Sequence, residues 1–247
     1  MAENTITIGT FFWAVAGSFL PALFWLWFWL KQDNKKPEPA LLLSLSFVAG
    51  IITVFLVYPI ESFASDIISG GLFIAAVAVI EETMKYLALY LVALRSKYFD
   101  EPIDAVIYAI TIALGFSAME NLLYLISTIS QDGIILGVLN SNLRFVGATL
   151  LHTVSSASIG VAVALAFYKR PVKKTIYLVL GLITSFVLHA MFNLSIINTK
   201  SIGEILTVFF YLWILIVILL LLFEKIKKIR PVVFPRMRKF KNKKINH

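Results

Sequence analysis

The chain has no cysteine in 247 residues. That absence excludes a disulfide framework, a thiolate metal centre and a cysteine nucleophile. Charge is scarce as well: 15% of residues are Asp, Glu, Lys or Arg, against about 25% in an ordinary soluble domain. Several signatures are also missing. No pair of histidines stands one turn apart with a glutamate, as in the short zinc motif. No serine sits in a nucleophile elbow. Barrel-type alternation is absent, and so are an inverted repeat and the Gly- or Pro-interrupted pair of spans that mark many transporters. The first apolar stretch is too long for a cleavable leader, lacks a basic start, and ends in Trp25, Trp27 and Trp29 before Lys31. It reads as a retained first span.

What is present is hydrophobic length. The apolar set makes up 60% of the chain, with 20 Phe and 5 Trp, and the mean hydropathy is +0.88. A water-soluble core of this size could not hide so many large side chains. The breaks between apolar runs place spans near 6–30, 40–60, 71–94, 102–128, 143–168, 175–197 and 203–223. Spans must be helical, because strands would leave backbone groups unsatisfied in lipid. The expected fold is therefore all-α: a multi-pass bundle of about seven transmembrane helices in the cell membrane. Residues 1–223 form the membrane domain and 224–247 a basic tail.

The formal net charge of +8 does not point to nucleic acid. Of 22 Lys and Arg, nineteen fall on alternate loops or in the tail from Lys225 to Lys244. Lys200 and Arg144 are the exceptions at the other surface, and Lys85 lies within a span. By the positive-inside rule the N-terminus is outside and the tail cytoplasmic, against the anionic leaflet of the bilayer.

The remaining polar residues stand inside spans. They are Glu81, Glu82 and Lys85 in the third, Glu120 and Asn121 in the fourth, His152 in the fifth, and His189 with Asn193 in the sixth. An ionisable group at such depth costs about 2.5–3.5 kcal/mol on insertion scales. An intrahelical ion pair accounts for Lys85 and one glutamate, and leaves the other unsatisfied. His152 or His189 alone reads as a packing residue, and either asparagine as interhelical glue. Depth argues against four unrelated residues. Counted from the outer ends of their spans, Glu81, Glu120, His152 and His189 all lie roughly 12–15 Å down. Around His152, a face of Ala148, Ser156, Gly160 and Ala164 leaves two readings open: close helix packing, or room for an extended segment.

Glutamates with histidines permit two hydrolytic mechanisms. Zinc or another divalent ion, held by Glu81, Glu120, His152 and His189, would acidify a water. Alternatively a buried glutamate acts as general base, with His and Asn donating to the oxyanion. The runs EETMK at 81–85, FSAMEN at 116–121, His152 and then HAMFN at 189–193 resemble the PrsW family of intramembrane proteases, within the wider CAAX-processing and bacteriocin-immunity superfamily. The resemblance covers roughly residues 74–194. It implies a catalytic centre of Glu81, Glu82, Glu120, His152 and His189, assisted by Asn193. It also implies a membrane-protein substrate of the anti-sigma-factor kind, cut near the extracytoplasmic side, and the metalloprotease label implies a metal. The rival readings are a proton- or cation-coupled transporter and an inactive scaffold or immunity protein. A transporter should spread its polar groups through the membrane, whereas these gather at one level.

Overall fold

The computed structural model describes residues 8–32, 36–132 and 134–230, side chains excepted at position 10 and at 130–144. Seven helices run in order: α1 Ile8–Leu30, α2 Ala40–Ile67, α3 Gly70–Leu89, α4 Asp104–Asp132, α5 Ile134–Leu165, α6 Pro171–Ile197 and α7 Ile202–Ile226. A π-helical turn, Tyr90–Leu94, ends α3. No strand occurs among the described residues. Among the described residues, six helices are long and apolar enough to cross a membrane. The seventh, α3, carries Glu81, Glu82 and Lys85 in its C-terminal half, which is the charge it brings to the site. The chain is thus a multi-pass helical membrane protein.

Several boundaries differ from the sequence reading, three of them with consequences for the site, the centre or the tail. Helix α2 continues past residue 60 through Glu61 and Ser62 to Ile67, and Gly70 turns the chain with a φ of 61°. Helix α5 starts at Ile134, nine residues before the expected span, because residues 134–143 contain no proline to stop it. Helix α7 passes the expected domain boundary and ends at Ile226. Most of the basic tail lies outside the described residues.

The ends use ordinary devices. Pro171 opens α6 at a position where its missing N–H costs nothing. Ser201 caps α7 by accepting from the Glu204 N–H. Asp104 at the start of α4 accepts from the Asp100 and Glu101 N–H groups at 2.9 and 2.7 Å. It pins the loop that enters α4, remote from the site.

Helices α4 and α5 form the most extensive pairing and stand at the centre. Helices α1 and α2 lean on α4, α6 and α7 lean on α5, and α3 packs between α2 and α6. The α2–α4 crossing is backbone on backbone. A methyl on Gly50 would lie 2.1 Å from the Ile112 carbonyl oxygen, and one on Gly115 2.1 Å from that of Phe47. Gly160 of α5 likewise meets the Ala105 carbonyl oxygen of α4, at 2.6 Å from such a methyl. The small face around His152 is, at Gly160, close helix packing.

Candidate active site

Helices α3, α4, α5 and α6 each deliver one polar segment to a common level. On α3, Glu81 and Glu82 precede Lys85 by four and three residues, so all three crowd one side of the helix. The Lys85 ammonium donates to Glu81 Oε2, to Glu82 Oε1 and to His152 Nδ1, each at 2.9 Å. An ammonium has three N–H donors, and all three are used. The expectation that Lys85 leaves one glutamate unsatisfied is therefore corrected. Its charge also lies 3.8 Å from the centre of the Phe116 ring.

These bonds fix the histidine tautomers. Because His152 Nδ1 accepts from Lys85, its proton is on Nε2, which donates to Glu120 Oε2 at 2.8 Å. His189 donates from Nδ1 to Glu82 Oε1 at 3.0 Å, which turns its Nε2 toward Glu81 Oε2 at 3.9 Å. The two imidazole rings are 5.0 Å apart.

The adjacent glutamates have unlike surroundings. Glu82 is fully buried, and both its oxygens are saturated: Oε1 by Lys85 and His189, Oε2 by Ser156 at 2.7 Å and Ser185 at 2.9 Å. It ties α3 to α5 and α6. Glu81 instead lines a cavity of about 450 Å³, together with Glu120, His152, His189 and Asn193. Helix rotation of about 100° per residue turns one carboxylate inward and its neighbour to the open space.

Ligand atoms of Glu81, Glu82, His152 and His189 all lie within 4.8 Å of one another, a buried group that could hold a metal ion. Glu82 takes the place that the sequence reading gave to Glu120, which reaches the group through His152 Nε2. Two carboxylates and two neutral imidazoles suit zinc in kind and number. Three of the four, Glu81, Glu82 and His152, now bond the Lys85 ammonium, so the group is built around positive charge. Asn121 turns away from the cavity, toward Ser117 and Thr149 between α4 and α5.

Sequence reading missed Ser185 and Glu61 here, and took Ser156 only for its small size. Ser156 and Ser185 carry Glu82, and Ser185 could have been found as the residue one turn before His189. Glu61 on α2 lies within electrostatic reach of Glu81, Glu120 and Lys85, and its buried Oε1 meets no hydrogen-bond donor among the described residues.

Residues 38–222 match the family described as PrsW family intramembrane metalloprotease. The chain is 29% identical to the Protease PrsW of Oceanobacillus iheyensis over 206 residues, 81% of this chain and 91% of the relative. With the Protease PrsW of Bacillus subtilis it shares 24% identity over 183 residues, 72% and 80% of the two chains. With that of Geobacillus kaustophilus the figure is 26% over 205 residues, 79% and 84%. No solved structure matches.

Proposed function

The chain belongs to the PrsW family of intramembrane metalloproteases, and from that premise we propose how this membrane protease cuts its substrate. The reading is that Glu81 activates the water and Glu82 holds the site together. What carries it is the difference in their surroundings: Glu81 lines the cavity, whereas every lone-pair direction of Glu82 is engaged. Glu81 takes a proton from water as the oxygen attacks the scissile carbonyl carbon. Asn193, on the same cavity wall, donates to the oxyanion. The proton held by Glu81 then passes to the amide nitrogen as the C–N bond breaks, leaving a new carboxyl and a new amine. Glu120 orients His152 through Nε2, and Glu82 orients His189 through Nδ1.

A divalent ion would be held by Glu81, Glu82, His152 and His189. When bound, it supplies an acidified water and polarises the carbonyl. It would compete with the Lys85 ammonium for the same donors.

The proposed substrate is a single-pass membrane protein of the anti-sigma-factor type, cut in the outer half of the bilayer. That placement rests on the N-out, C-in orientation. Reporters fused after Pro171 and after Ser201 should read cytoplasmic and outside, and the reverse result moves the cut to the cytoplasmic half. The direct test is purified protein in liposomes with a panel of single-pass anti-sigma factors, before and after chelation, with bound metal measured in parallel. Cleavage by the wild type and none by Glu81→Gln supports the assignment. Equal cleavage by both removes it. Full activity in metal-free protein assigns water activation to Glu81 alone.

A further inference from the structure

Helices α6 and α7 both lean on α5 and barely touch each other. Between them lie three cavities in a row. The lowest, about 410 Å³, shares Val154, Leu188 and Leu215 with the next, of about 160 Å³. That one shares Leu151 and Phe192 with the cavity of the glutamates and histidines. Together they make one groove, open to the lipid side, from the site toward the inner surface. Along α7 it runs from Ile205 to Leu222, about 25 Å at 1.5 Å per residue, most of the thickness of a hydrocarbon core. No charged residue lines the two lower cavities.

We propose that this groove is the docking site for the transmembrane helix of the substrate, which enters laterally between α6 and α7. The inference rests on the protease reading and adds where the substrate lies. Length and polarity fit one apolar helix. The floor is the close contact of α5 and α6 at Ser158, Ala162 and Gly181, where no large side chain rises to fill the groove. A lipid tail would fit the apolar walls too, but the groove continues into the catalytic cavity, and a helix lying in it carries its outer end to Glu81. Phe192 of α6 and Phe209 of α7 meet there over Gly147: a methyl on that glycine would lie 3.1 and 3.0 Å from their ring tips. The two rings stand where the docked helix passes from groove to site.

The natural absence of cysteine makes the test direct. Single cysteines go into the groove at Thr184 or Ile218, and as controls at Ile183 or Val217, exposed on the same helices but outside it. All are made in Glu81→Gln protein, so that bound peptide stays whole. The probe is a Lys-flanked Leu/Ala peptide with a span of about 20 residues and one mid-span cysteine, in liposomes under mild oxidation. Disulfide-linked product several-fold higher at Thr184→Cys and Ile218→Cys than at the controls is expected. Equal yields at all four positions overturn the proposal and leave the groove to lipid. In otherwise wild-type protein, Thr184→Trp with Ile218→Trp fills the groove from positions open enough to take the rings. Cleavage of a single-pass substrate should fall about tenfold, and an unchanged rate overturns the docking. Preferential cross-linking without any wild-type cleavage would remove the protease mechanism and keep the groove. Cleavage with indiscriminate cross-linking would do the opposite.

Discussion

Helices α4 and α5 are buried along 83% and 78% of their apolar stretches, and α6 and α7 along 17% each. Yet α7 is the more apolar sequence. In water the most hydrophobic helix would be the most hidden, but in a bilayer lipid serves apolar side chains as well as protein does. Burial here goes to the segments whose polar groups need partners. Helix α4 brings Ser117, Glu120 and Asn121, and α5 brings Thr149, His152 and Ser156. The central pair is a frame, and α6 with α7 is a looser flank that nonetheless contributes His189 and Asn193. The site spans the two.

That contrast can be broken by experiment. The largest effect should come at the cavity face: Glu81→Gln is expected to lower cleavage by about 10²–10⁴-fold, with a smaller fall in the thermal midpoint in detergent than Glu82→Gln, because it weakens one Lys85 bond where Glu82→Gln disturbs four. If the midpoint falls as far as in Glu82→Gln, Glu81 belongs to the frame. Its neighbour should behave the other way. Glu82→Gln leaves the amide nitrogen facing two former donors, and removal of one partner from a buried ion pair costs about 3–5 kcal/mol. A loss of activity with full stability would place Glu82 in the chemistry instead. In the frame itself, Gly115→Ala should cost about 1–3 kcal/mol through overpacking against Phe47. On the flank, Leu221→Ala, 67% exposed, should leave the midpoint where it is. A shift there as large as that of Gly115→Ala would mean that the lipid-facing surface of α7 is covered by protein.

Much of this was legible in the sequence. All seven helices were, because lipid makes long apolar runs costly to place anywhere else. Glu81, Glu120, His152 and His189 stood out because an ionisable group inside such a run demands a reason. The division between Glu81 and Glu82 was not legible: neighbours on one helix differ only by rotation, and what each meets is set by α5 and α6. The bonds of Ser156 and Ser185 to Glu82 were not foreseen because a hydroxyl in an apolar span costs little and so gives no signal. Glu61 was lost to a boundary, since ending the second span at residue 60 moved it into a loop.

The reciprocal contact of Gly50 and Gly115 has one more consequence. Where helices meet through side chains, truncation leaves a void that neighbours partly fill, and stability declines in steps. Between α2 and α4 there is no side chain to shorten and no rotamer to relax at this point. The two backbones either touch or stand apart, which makes the crossing all-or-none. Warming should therefore leave this joint intact until the helices separate as a unit.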